Sequence, residues 1–378
     1  MTKLSVREAL PVTTEVIGID DLPAGLSGQE WHAASVSLMP GRAGRHYLSA
    51  SWETEIVLAT GEGGGVLGFL PVQRVKSRAV PSAVFDPAVL APRLFCEVGD
   101  ARAYLFVGGC ADLVAGAVTS AGLTAGRAES VRRALVGRAR AEAEHRGLVA
   151  AAVYVRDNEL AAFLPDGDPA FAPDGVAALA PDGDLAVFAP DGGDPRRERI
   201  GHLSTLAVPP DDERFLAALT AGRRRTVLKD RRAAAEAGLR CEVTPARDAV
   251  APGADLVAAV KRRHGIEEHP RLLRTRLAQW AAEPVGERVA FAVYAATTPD
   301  CLAVTFGCAI GGRLEIYETG VADDTPHRHE AYVESLIHAP LRYALDHRLT
   351  GIDLGIDAET PKTRRGATLS PVWAVRLT

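Results

Sequence analysis

No two cysteines in this chain are spaced as Cys-x-x-Cys. The five present, Cys96, Cys110, Cys241, Cys301 and Cys308, are odd in number, which argues against a zinc ribbon or a dithiol redox centre and leaves buried free thiols as the expectation. No stretch approaches eighteen uninterrupted apolar residues, and Met1 to Leu10 carries charge without an apolar core. Neither membrane spanning nor export is therefore expected, and the cytoplasm is the expected compartment. The net charge of −5 gives no global attraction to nucleic acid, so a phosphate-rich partner must be held by a local basic patch. There is no Gly-x-Ser-x-Gly elbow and no Walker motif, which removes two familiar routes to covalent serine chemistry and to ATP binding. His327 and His329 stand two apart at a helix entry without a carboxylate or third histidine in metal-ligand spacing, and His264 and His269 form no better set, so no metal is expected.

What remains is ample material for a folded enzyme. With 378 residues at 47% hydrophobic, the chain can bury two cores rather than one. Its one compositional break is a Pro-Asp-Gly repeat at Pro165, Pro173, Pro181 and Pro190. Each triplet is turn chemistry, with Gly175 to Phe188 readable as a short hairpin, and the uneven spacing does not follow a calcium-binding loop. The stretch therefore reads as a connection, dividing the chain into 1–163, 164–205 and 206–378.

The order of elements on its two sides repeats. In the C-terminal part, Glu287 to Ala295, Leu302 to Ile310 and Arg313 to Thr319 alternate as strands, with Gly311-Gly312 as a two-residue hairpin turn, which predicts a three-stranded antiparallel meander. A helical pattern follows, carrying Val333, Leu336, Ile337, Leu341, Ala344 and Leu345 on one face, with a kink expected at Pro340. Ile352, Leu354 and Ile356 then alternate as a strand, and Val372 to Leu377 form a last one. The N-terminal part offers a hairpin over Glu53 to Leu58 and Val66 to Val75, a helix near Ser130 to His145, and a strand over Leu148 to Val155.

Antiparallel strands, a helix, then a strand parallel to its neighbour is the order of the GNAT core, and two such lobes in one chain resemble the Fem-type transferases. The resemblance is carried by Phe215-Leu-Ala-Ala-Leu, by the arginine-rich Arg223 to Arg232 closing on Glu236-Ala-Gly-Leu, and by Ile352-Asp-Leu-Gly, Pro361-Lys362 and Arg365-Gly-Ala. It spans Leu206 to Thr378; the first lobe contributes element order and Gly68-Phe-Leu-Pro-Val. It implies an α/β fold with mixed sheets, in tandem GNAT-like lobes with a cleft between them, and an acyltransferase that forms an amide bond. It also implies that Lys362 stabilises the oxyanion of the tetrahedral intermediate, with Arg364 and Arg365 nearby to assist.

Read from the residues alone, Lys362 has the alternative of an exposed loop lysine beside Pro361 and Thr363, and Arg365 can instead orient the turn before Gly366. Asp357 is the candidate general base, placed by alternation on the same side as Asp353. Tyr317 and Tyr332 are candidate substrate contacts, though an aromatic on a strand is also ordinary core. The basic run Arg223, Arg224, Arg225, Lys229, Arg231 and Arg232 sets six positive charges against Asp230 within ten residues. It reads as a phosphate- or tRNA-binding helix or as a solvated face, with Val227, Leu228 and Ala235 as its apolar stripe; Arg328, at the next helix entry, is a further phosphate candidate.

The donor follows from a missing loop. Enzymes of this fold that use acetyl-CoA hold pyrophosphate on a glycine-rich turn at a helix N-terminus. The matching segment here, Gly320 to Glu330, has Asp323-Asp324 and Pro326 and no glycine after Gly320. That disfavours coenzyme A and favours aminoacyl-tRNA as co-substrate, with no cofactor and with a small-molecule amine as acceptor. An acyl-CoA-dependent N-acyltransferase and a non-catalytic ligand-binding protein are the alternatives. If tRNA is the donor, reversing Arg224 and Arg231 is expected to lower activity more than stability.

Overall fold

The computed structural model describes residues 11–23, 26, 31–32, 35, 38, 51–76, 83–110, 112–164, 195–266, 268–296 and 299–378. The Pro-Asp-Gly stretch and its suggested hairpin lie outside the described residues. The chain divides into two compact units, Met1–Ile200 with Pro371–Thr378, and Gly201–Ser370.

In the first unit, β1 (Thr13–Gly18), β2 (Trp52–Thr60), β3 (Val66–Val75) and β4 (Tyr104–Val107) pair antiparallel in turn. A short strand β5 (Val118–Ser120) also pairs with β3 and leads into α1 (Ala125–His145), after which β6 (Val149–Arg156) lies parallel to β4. Helix α1 begins at Thr124, whose hydroxyl accepts from the Arg127 amide, and it presents Ala128, Val131, Leu135 and Ala139 to the sheet at helical spacing. Val131 and Leu135 are fully buried against Val57, Leu70, Val72 and Leu105, and each such side chain contributes about 1.5–3 kcal/mol. Gly147, at φ +66°, ends the helix in the left-handed conformation that glycine adopts without strain.

The second unit repeats the plan. Strand β7 (Arg197–Ala207) leads to α2 (Asp212–Ala218), α3 (Ala221–Glu236) and β8 (Leu239–Pro245), followed by α4 (Val250–Arg263) and α5 (Pro270–Ala281). The meander is β9 (Glu287–Ala295), β10 (Cys301–Ile310) and β11 (Arg313–Val321), all antiparallel, with β8 paired outside β9. Gly311 and Gly312, both at positive φ, form the predicted turn. Then come α6 (Arg328–Val333), α7 (Ala339–Asp346), β12 (Gly351–Ile356), a one-turn helix α8 (Glu359–Thr363) and β13 (Thr368–Arg376). Strand β12 is parallel to β11 and antiparallel to β7, while β13 from Pro371 onward belongs to the first unit and pairs there with β6.

The long helical pattern is interrupted beside Pro340. A π-helical turn, Glu334–His338, separates α6 from α7, with the Ala339 amide bonded back to the Glu334 carbonyl, and Pro340, which has no N–H to continue the ladder, follows it directly. Contact between α4 and the meander is unusually close. A Cβ on Gly320 of β11 would lie 2.5 Å from the Val257 amide nitrogen and 2.6 Å from the Leu256 carbonyl carbon, both backbone. Gly320→Ala is therefore expected to destabilise the protein by about 1–3 kcal/mol through overpacking, measured as a lower urea midpoint with an unchanged slope. A midpoint equal to wild type would show that α4 can retreat freely.

Candidate active site

Strands β11 and β12 are paired at Arg313↔Gly351, Leu314↔Ile352 and Glu315↔Asp353, and their pairing ends there although β11 runs on to Val321 and β12 to Ile356. Two neighbouring strands that stop sharing hydrogen bonds leave backbone donors and acceptors for another partner. At the far end of β12 the chain takes three left-handed residues, Gly355 (φ +75°), Asp357 (φ +65°) and Ala358 (φ +49°), before α8. Left-handed conformations at Asp357 and Ala358 cost on the order of 1–3 kcal/mol each, and such strain persists where the surroundings enforce it.

Lys362 supplies the enforcement. Its side chain is 4% exposed, and Nζ donates to the carbonyls of Gly355 (3.1 Å), Ile356 (3.1 Å) and Asp357 (2.7 Å). Three N–H bonds meet three carbonyls, so the ammonium is saturated by the turn it closes. Burial pulls its pKa down to about 8, while Asp357, Asp353 and Glu359 oppose the fall by favouring the charged form. The exposed-loop reading of Lys362 is thereby corrected: it lies inside its own turn.

Asp357 is exposed, and its contact with Lys362 is through its backbone carbonyl. It lies beyond the last residue of β12, so the strand alternation that aligned it with Asp353 does not reach it. The Asp353 carboxylate is buried and accepts from the Gly355 amide at 3.0 Å.

Arg365 is also 4% exposed, and its guanidinium serves three elements: Nε donates to Asp230 on α3 (2.8 Å), one terminal nitrogen to the Pro361 carbonyl (2.8 Å), and the other meets His329 Nε2 on α6 (3.3 Å). It orients the turn before Gly366, whose φ of +104° no other residue adopts comfortably. Tyr332 lies in the same neighbourhood; burial pushes its phenol up, and the Arg365 charge opposes the shift. Arg364 is exposed at the end of α8. Tyr317 is directed elsewhere. Its ring stacks on Trp280 with centroids 4.6 Å apart, and its hydroxyl accepts from buried Arg276 at 2.9 Å, beside the Arg276–Glu268 ion pair.

The arginine-rich helix α3 divides into two faces. Arg224 reaches back to the Leu216 and Leu219 carbonyls at the end of α2, and Arg231 forms a bidentate pair with Asp212 at 2.6 and 2.7 Å. That pairing holds the Asp212 carboxyl below the usual carboxylate range. Arg225, Lys229 and Arg232 recur at helical spacing on the exposed side, and none has a side-chain partner among the described residues. Leu228 stands among them at 45% exposure, while Val227 and Ala234 are the buried positions, which corrects the predicted apolar stripe. Arg328 is exposed at the first turn of α6.

Several side chains of this neighbourhood escaped the sequence reading. His202 on β7 and Glu359 on α8 are bonded at 2.8 Å although 157 residues apart. Asp230, read there as a lone charge opposing its neighbours, is the carboxylate that anchors Arg365. Nothing in the spacing of these residues announces their pairing.

No family model matches the sequence, and no curated relative matches it. Solved structures do. FemX is similar over 97% of both chains with a TM-score of 0.55 at 11% identity. L-PGS from Bacillus licheniformis is similar over 93% of this chain and 90% of that one, with a TM-score of 0.51 at 9% identity. The fold is that of FemX. The same Fem-type fold relates the chain to the C-terminal domain of a putative lysylphosphatidylglycerol synthetase from Agrobacterium fabrum, which covers 89% of this chain and 85% of that one, with a TM-score of 0.51 at 11% identity. At such identities the likeness establishes the fold, and function has to be argued from the side chains. Among the described residues no helix is long and apolar enough to cross a membrane.

Proposed function

We propose that the protein is an acyltransferase that forms an amide bond, moving an amino acid from aminoacyl-tRNA to the amine of a small molecule in the cytoplasm. The parted strands β11 and β12 offer backbone groups to an extended acyl donor, and the buried ammonium of Lys362 lies at the end of β12, where charge on a tetrahedral oxygen would need a donor. For that oxygen Lys362 would release one of its two longer carbonyl bonds, since a charged acceptor outcompetes a neutral one. The donor assignment is carried by one observation: Arg225, Lys229 and Arg232 form an exposed cationic ridge with no carboxylate paired to it among the described residues, in a chain whose net charge is −5. A ridge of that kind fits a phosphate backbone.

A second reading has its own support in the first unit. There β5 leads through Gly122 to α1, capped by Thr124 with Gly126 in its first turn, so glycines of the kind missing after β11 stand on both sides of the start of α1. This arrangement suits an acyl-CoA donor. The two readings separate in one reconstituted mixture. With aminoacyl-tRNA as donor, product should require charged tRNA, disappear with ribonuclease, and weaken steeply with salt, while acyl-CoA is inert. Turnover driven by acyl-CoA in ribonuclease-treated protein would overturn the tRNA assignment. Product from neither donor would leave a ligand-binding protein.

A further inference from the structure

His202 and Glu359 have no part in the roles above, yet they meet beside the turn that Lys362 closes. His202 Nδ1 lies 2.8 Å from Glu359 Oε1, and because a carboxylate only accepts, Nδ1 carries the proton and donates it. Strand β7 places the imidazole there. Leu203 is opposite Ile356, and a Cβ on Gly201 would lie 3.5 Å from Ile356 Cγ2, so His202 is held between two residues that flank the end of β12. Glu359 follows the left-handed Ala358, and its charge acts on the Lys362 ammonium. The imidazole is 13% exposed and the Glu359 side chain 32% exposed, so the carboxylate is fixed on one side and open on the other.

We propose that Glu359, oriented by His202, takes the proton from the acceptor's ammonium; this rests on the acyl transfer to an amine proposed above. Charge favours the encounter. His202 meets Glu359 from β7, and Asp353, Asp357 and Glu359 all act on the Lys362 ammonium, so three carboxylates against one ammonium leave a negative site for an incoming cation. An ammonium N–H proton moves to Glu359, which passes it to solvent, and the freed nitrogen lone pair forms the C–N bond at the ester carbonyl. The second proton on that nitrogen goes to the ester oxygen as the C–O bond breaks, and the alcohol departs. Glu359 is the catalytic residue in this scheme. His202 is a positioning residue, holding the carboxylate in one rotamer.

The test compares two small acceptors, ethanolamine, protonated at neutral pH, and methoxyamine, which is not. Transfer is measured over the enzyme-free background with a mixture of charged tRNAs and, separately, with acetyl-CoA. Glu359→Gln keeps an oxygen to accept from His202, so the turn is retained. With ethanolamine it should lower kcat by about 10²-fold, within the range of a lost general base. With methoxyamine, which has no proton to give up before attack, the loss should be at least tenfold smaller. His202→Gln should lower kcat less than Glu359→Gln while KM stays within about twofold, and the double variant should be no worse than Glu359→Gln alone. Equal losses with both amines, or none with ethanolamine, would overturn the assignment while leaving acyl transfer in place. If wild type transfers to neither amine from either donor, acyl transfer itself fails and the assignment with it.

Discussion

Reversing Arg225, Lys229 and Arg232 to Glu together is expected to lower transfer from charged tRNA by about 10²- to 10³-fold near 0.1 M salt, with the melting temperature unchanged. Each phosphate contact contributes roughly tenfold to affinity at that ionic strength, and three are lost. The wild-type dependence of log(kcat/KM) on log[salt] should also become shallower by about 2 to 3 in slope. The melting temperature is unaffected because these side chains have no partner among the described residues to lose. Arg224 and Arg231 behave in the opposite way. Reversing them would remove the donors to the last carbonyls of α2 and put like charge against Asp212, so stability falls and any loss of activity is uninformative about RNA. The helix thus contains its own control: one pair of charges that folds the protein and three that are free to bind. A triple reversal with unaltered activity and an unaltered salt slope would make the ridge a solvated face.

That division was beyond the reach of the sequence, and the reason is instructive. Periodicity located the helix and its end at Gly238, because spacing and a terminal glycine are local properties. Leu228 reads as apolar stripe because it is a leucine beside Val227, yet it lies one helical step off the buried line through Val227 and Ala234. What fills the space between those two is ionic: Asp230 faces inward to meet Arg365, 135 residues away. Apolar counting sees oily residues and cannot see a carboxylate whose partner is distant in the chain.

The same contrast runs through the rest of the unit. The meander, its Gly311-Gly312 turn and the parallel return of β12 were legible, since alternation and turn chemistry act over a few residues. Of the candidate catalytic and substrate residues, Asp357, Lys362, Arg364 and Arg365 lie at the end of β12 and along α8, Tyr332 lies on α6, and Tyr317 is directed elsewhere. Alternation from Asp353 does not reach Asp357, because the strand ends at Ile356 and Asp357 is itself left-handed, a handedness that a non-glycine residue does not announce in composition. His202–Glu359 needed the strand register of β7 against β12, which is a tertiary fact.

Lys362→Ala is expected to lower turnover by about 10²-fold or more, the effect of losing one stabiliser of an oxyanion. The distribution of the loss between kcat and KM identifies its origin. A group acting in the transition state lowers kcat and kcat/KM together with KM steady, whereas one that merely props the turn alters KM as well. Lys362→Arg should recover little, because a planar guanidinium cannot direct donors at three carbonyls gathered around one point. The alkaline limb of the pH profile carries a further sign. With the folded pKa near 8 against an ordinary value of 10.5, the ammonium is lost early, so activity that depends on it should fall as pH rises through about 8. Stability moves the other way. Between about 8 and 10.5 the unfolded chain binds the proton that the folded one has released, so the cost of burying the charge, on the order of 3 kcal/mol, is relieved with rising pH. Lys362→Met has no proton to exchange and should lack that rise; denaturant titrations of the two proteins across this window measure the difference. Parallel stability profiles, together with unchanged kinetics in the alanine variant, would remove Lys362 from the reaction and leave the strained turn without its reason.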